Sequence, residues 1–199
     1  MMLHPATAHF AIVLPVVASV FGLIYLATRS ESMSKISSRA TLLAALAMIG
    51  VWYTGNDAGP LIYDYLSAHG KEELLEHKEL GLYLAIAMGI IALLKIIGCK
   101  TKKFAIEALA IVLLLATTAT TFLQGKHGGE LVYNYGMPFK AYKIQDILSK
   151  TQASAEDMEE DEEKVEAYED AMDEINTISA KVDKVYGNAP KEEAIDDEE

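Results

Sequence analysis

Four stretches of the chain read as almost unbroken apolar runs, separated by short polar connections and followed by a long acidic end. A hydrocarbon core of ~30 Å needs about 20 mostly apolar helical residues. Residues about 5–28 meet that need without a charge, and residues about 40–56 come close to it. Residues about 80–99 are interrupted only by Lys95, and residues about 104–125 carry Glu107 in their first turn. Lys95, one turn from the end of its run, is expected to snorkel to the interface. The first run lacks a basic leader and a clear cleavage site, so it reads as a retained span rather than a signal peptide. Pro5 suits a first helical turn, and Pro15 should loosen the helix around it. The pattern predicts an all-α fold: a four-helix transmembrane bundle over residues 1–140.

After the fourth run the pattern changes. Val165, Tyr168, Met172 and Ile175 recur at helical spacing, and Ile178, Val182 and Val185 continue the row. That predicts a C-terminal acidic amphipathic helix over about 155–186 with a narrow apolar seam, within a tail of residues 141–199. The stretch from Asn188 to Glu199 should be disordered.

Charge divides the same way. Residues 1–150 carry 13 Lys and Arg against 10 Asp and Glu, whereas residues 151–199 carry 4 against 19. The net charge of −12 therefore comes from the tail. Basic residues cluster in two short loops, Arg29, Lys35 and Arg39 in one and Lys100, Lys102 and Lys103 in the other. The positive-inside rule makes those loops cytoplasmic. Both termini then face outward, as in a multi-pass protein of a bacterial inner membrane. Trp52 and Tyr53 fall where an aromatic belt is expected. A single Cys99 excludes an internal disulfide and cysteine-built metal clusters. There is no CxxCH, no phosphate loop, no nucleophile elbow and no HExxH. No basic outer patch argues for nucleic acid.

The five histidines all fall on the predicted outer side. His4 and His9 open the first span, His69 lies in the middle loop, His77 precedes the third span, and His127 follows the fourth. Bundles build cofactor sites from facing helices, and neutral imidazole suits haem iron, copper and zinc. His4 and His9 stand about 140° apart on a helix, so they cannot share a face. With His4 read as a cap, His9 is the inward candidate. Thr117, Thr120, Thr121 and Gln124 share a helical face that His127 extends, and Gly50, Thr54 and Asp57 share another. Gly81 and Met88 lie on the face of His77. Small-residue packing and interhelical hydrogen bonding explain such polar stripes equally well.

Three motifs resemble one bacterial membrane family, the domain of unknown function 2231. His4-Pro5-Ala6-Thr7-Ala8-His9-Phe10 resembles its HPxxxHF opening. His77 to Gly81 resembles the start of its third span, and Gly128-Gly129-Glu130-Leu131-Val132-Tyr133 with Gly136 resembles its GGxLVYxxG signature. The chain departs from the pattern at Ala11, where the family often has proline, and at Tyr135, where it often has histidine. The resemblance implies an integral membrane protein of unassigned activity. Some members are joined to redox domains, which implies electron transfer.

Three functions are consistent with these residues. The first is a redox component holding b-type haem through two of His9, His77 and His127, with His9 and His77 as the preferred pair, and exchanging electrons with a quinone or a periplasmic redox protein. The second is a transition-metal module using His4, His9, His77 and His127, assisted by Asp57 or Glu130. The third is a subunit without a cofactor, in contact with membrane lipid, that recruits a protein partner or self-associates through its acidic helix. An electron carrier or subunit fits the residues better than a stand-alone enzyme.

Overall fold

The computed structural model describes residues 3–64, 66–135 and 138–185. It contains six α-helices: α1 (His4–Thr28), α2 (Glu31–Tyr63), α3 (Ala68–Thr101), α4 (Phe104–Glu130), α5 (Pro138–Glu156) and α6 (Asp161–Val185), with a π-helical turn, Leu131–Tyr135, after α4. The chain divides into two compact units, Met1–Leu131 and Val132–Glu199.

In the first unit each helix packs on its sequence neighbour and α4 closes back on α1. The connections are too short for anything but up-and-down packing. Arg29 in a left-handed conformation ends α1, its N–H bonded to Tyr25 O at 2.8 Å. Lys102 does the same for α3. Ser67 caps α3 by accepting the Gly70 N–H at 3.2 Å.

The bundle is apolar outside and small or polar inside. Phe10, Leu46, Leu93 and Val112 are each more than half exposed, whereas Ala18, Ala44, Ala110, Ser37 and Thr41 are fully enclosed. In water such a surface would be unstable; in lipid it is the required one, and small interior residues allow close helix approach. Mean hydropathy over the spanning stretches is 2.5, 1.4, 2.4 and 2.0 for the helices starting at His4, Glu31, Ala68 and Phe104. The second is lowest because Ser34, Ser37, Ser38 and Thr41 form its inward face.

Three expectations need correction. α2, α3 and α4 extend past the apolar runs, because hydrogen-bonded turns continue into polar sequence. The sequence from His127 to Gly136 reads as a helix end, a turn and a short extended piece, but Leu131 to Tyr135 is a π-helical turn, and Leu131 is buried. Lys95 does not snorkel: it is fully enclosed and bonded to Glu107.

The second unit pairs two helices where one was expected. Lys140 on α5 bridges Asp183 on α6 at 3.1 Å, and Ile147, Ala155 and Ala171 are buried. Asp161, Glu162 and Glu163 form the first turn of α6, where they complement the helix dipole. Residues 188–199, expected to be disordered, and Gly136 of the family signature lie outside the described residues.

Candidate functional site

Two polar clusters occupy opposite ends of the membrane bundle. Near the α1–α2 and α3–α4 turns, Lys95 of α3 donates to Glu107 Oε2 of α4 at 2.9 Å, and Ser34 Oγ of α2 donates to the same oxygen at 2.6 Å. Lys95 Nζ also lies 5.4 Å from the Tyr25 ring of α1. All four helices contribute. Gly98 admits the pair, since a Cβ there would sit 2.6 Å from Glu107 Cγ. Midway along the bundle, Ser19 and Thr118 share a hydrogen bond at 3.1 Å. Around that bond the interior is lined mainly by apolar side chains, with Met88, Ile111 and Leu114 fully enclosed.

At the other end the polar groups are imidazoles. His4 is the first residue of α1, so its side chain turns toward α2 and α3 instead of capping from outside. Its Nδ1 lies 3.0 Å from Val51 O and 3.4 Å from Thr54 Oγ1. A carbonyl only accepts, so Nδ1 carries the proton and a neutral ring keeps its lone pair on Nε2. Thr7 and Thr54 hydroxyls meet at 3.0 Å and brace this arrangement. The same backbone-oriented imidazole is a recurrent arrangement for metal-ligating histidine.

His77 comes from α3. Its ring centre is 6.3 Å from that of His4, with the two planes perpendicular. Gln124 of α4 donates to His77 O at 2.7 Å. Two side-chain atoms here are buried without a partner, His77 Nδ1 and Gln124 Oε1. Each unpaired buried group costs about 1–3 kcal/mol. Two glycines make room for the rings. A Cβ on Gly55 would lie 2.9 Å from His4 Cε1, and one on Gly128 would lie 3.1 Å from His77 Cε1. His127, beside Gly128, is within electrostatic reach of His77, as is His4. An apolar cleft of about 180 Å³, lined by Thr7, Phe10, Ala47 and Gly50, opens between α1 and α2 one turn below His4.

The structure thus brings His4, His77 and His127 together and leaves His9 apart. His9 is exposed, and its Nδ1 donates to Pro5 O at 2.8 Å within its own helix. His69 lies near Glu72 and Glu73 on the first turns of α3, at 3.8 and 4.0 Å. Glu130 pairs with Lys126 at 3.1 Å, and Asp57 is exposed. Among the described residues no group of three or more His, Cys, Asp or Glu is placed to hold a metal ion. Of the polar stripe on α4, Thr117 and Thr121 are buried, and Gln124 reaches the histidine cluster. Gly55 and Gly128 escaped the sequence reading as imidazole neighbours; their only signal was a glycine three residues into the Trp52 segment and one directly after His127.

A lipid-facing four-helix bundle with imidazoles gathered at one end defines an integral membrane protein. Over residues 1–141 the chain matches the family described as "Predicted membrane protein (DUF2231)", and it belongs to that family. No curated protein and no solved structure matches the chain.

Proposed function

We propose that the chain is a membrane redox component whose histidine end holds a b-type haem, with His4 and His77 as its ligands. One observation carries this reading: two imidazoles from different helices lie 6.3 Å apart, one oriented by a backbone carbonyl and the other with a buried, unpartnered nitrogen. His4 and His77 would be the residues to hold the group, since both imidazoles come from facing helices at one end of the bundle. The donor set suits a haem, for which two protein imidazoles would suffice, whereas a bare zinc ion takes at least three protein ligands.

When bound, the haem supplies one-electron chemistry. The chain's own part is to fix both rings. Val51 O and Thr54 hold the His4 tautomer, Gln124 anchors the backbone at His77, and His127 adds a third imidazole within electrostatic reach of His77. In the orientation set by the two basic loops this end faces the outside of a bacterial inner membrane, within reach of a periplasmic redox protein.

The test is optical. Full-length protein purified in detergent from haem-replete cells is expected to show a Soret band and, after dithionite, sharp α and β bands, with iron near one per chain. A featureless spectrum, with no iron in such a preparation, overturns the proposal.

A further inference from the structure

We infer that the α5–α6 hairpin is a docking site for a basic amphipathic helix on a partner protein. The row of apolar residues on α6 is used in two ways. Ala171 is buried and Ile175, Ile178 and Val182 are half-buried, so this part of the row faces α5. Val165, Tyr168 and Met172 are 57%, 45% and 55% exposed. At spacings of three and four they form one stripe two turns long, rotated away from the α5 contact. Their outer flank is a row of acids, Glu162, Glu166, Glu169 and Asp173, all exposed.

Charge selects the occupant. Residues 138–185 hold 14 Asp and Glu against 6 Lys and Arg. A second copy would bring the same acidic flank against this one, and like charges facing each other are destabilising. An anionic lipid surface is repelled for the same reason. A helix with apolar residues at i, i+3 and i+7 and Lys or Arg beside them satisfies both the stripe and its rim, the helix-on-apolar-face mode of recognition. The acids steer its approach, and the Tyr168 and Met172 side chains supply the contact area.

The probe is a synthetic 20-residue helix of Leu, Ala and Arg, matched against a scrambled peptide of the same composition. Binding is measured on full-length protein in nanodiscs of neutral lipid, with empty discs subtracted. The amphipathic peptide is expected to bind at least about tenfold more tightly than the scrambled one, and more weakly as salt rises. The double variant Tyr168→Ala, Met172→Ala, at exposed positions, is expected to keep its helix content and lose that preference. Equal binding of the two peptides overturns the inference. So does an unchanged preference in the double variant, and so does a concentration-dependent dimer that the variant abolishes, which would make the occupant a second copy.

Discussion

Both ends of the membrane bundle enclose polar groups, and they finish them differently. At the Lys95 end the polar atoms meet one another: ammonium and serine hydroxyl converge on one carboxylate oxygen. At the histidine end one imidazole nitrogen and one amide oxygen are enclosed without partners. A closed cluster is a structural device, since it holds helices in register and asks for nothing further. An open cluster keeps hydrogen-bonding capacity unused, and such a buried group calls for an explanation that a closed one does not. That contrast separates self-satisfied polar clusters from unsatisfied ones, which residue type alone cannot do.

The comparison can be broken most violently at the closed end. Removing one partner of a buried ion pair costs about 3–5 kcal/mol, because the other charge is left alone. Glu107→Ala and Lys95→Ala should therefore lower the thermal midpoint in detergent far more than the double variant Lys95→Met, Glu107→Leu. Equal losses in all three would mean that the pair is not the self-contained unit described. Next comes Gly98→Ala. Its Cβ would meet both the side chain and the backbone of Glu107, at 2.6 and 3.0 Å, so overpacking of about 1–3 kcal/mol is expected. A smaller effect is expected at the open end from Thr54→Val. It removes the hydroxyl contacts to Thr7 and His4 and should cost about 1 kcal/mol in the same melting assay. Smallest of all is His77→Ala, which deletes a buried group that had no partner; its apo protein should melt within about 1 kcal/mol of the parent. For haem retention the order reverses. Gly128→Ala and Gly55→Ala push on the rings themselves and should lower haem content several-fold while helix content stays constant by circular dichroism.

Much of this architecture was legible before any coordinates. The apolar runs located the hydrocarbon-crossing parts of α1 to α4, because lipid demands them. The ends of those helices were not legible, since hydropathy reports the solvent and not the hydrogen-bonded turn. Lys95 was misread as a snorkelling residue because its partner sits on the next helix. The pairing follows only once the tight turn at Lys102 folds Glu107 back beside it. The α5 helix was missed because its apolar residues do not mark one face: Tyr142 and Leu148 are exposed while Ile147 and Ala155 are buried, and the inward side shows only against α6. Among the histidines, helical geometry showed that His4 and His9 face apart. Which one turns inward depended on whether His4 lies inside the helix or before it. The structure begins the helix at His4, with Leu3 as the cap residue, and the inward ring is therefore His4. The two glycines that accommodate the rings come from α2 and α4, and no local pattern links them to histidines on α1 and α3.

The measurement that tests the open-end reading most directly is haem content per chain across four proteins purified in parallel: the parent, His4→Ala, His77→Ala and His9→Ala. Haem near one per chain in the parent and in His9→Ala, with most of it lost from the other two, is the predicted result. Loss in His9→Ala with retention in His4→Ala would contradict it, and so would a parent protein that carries none.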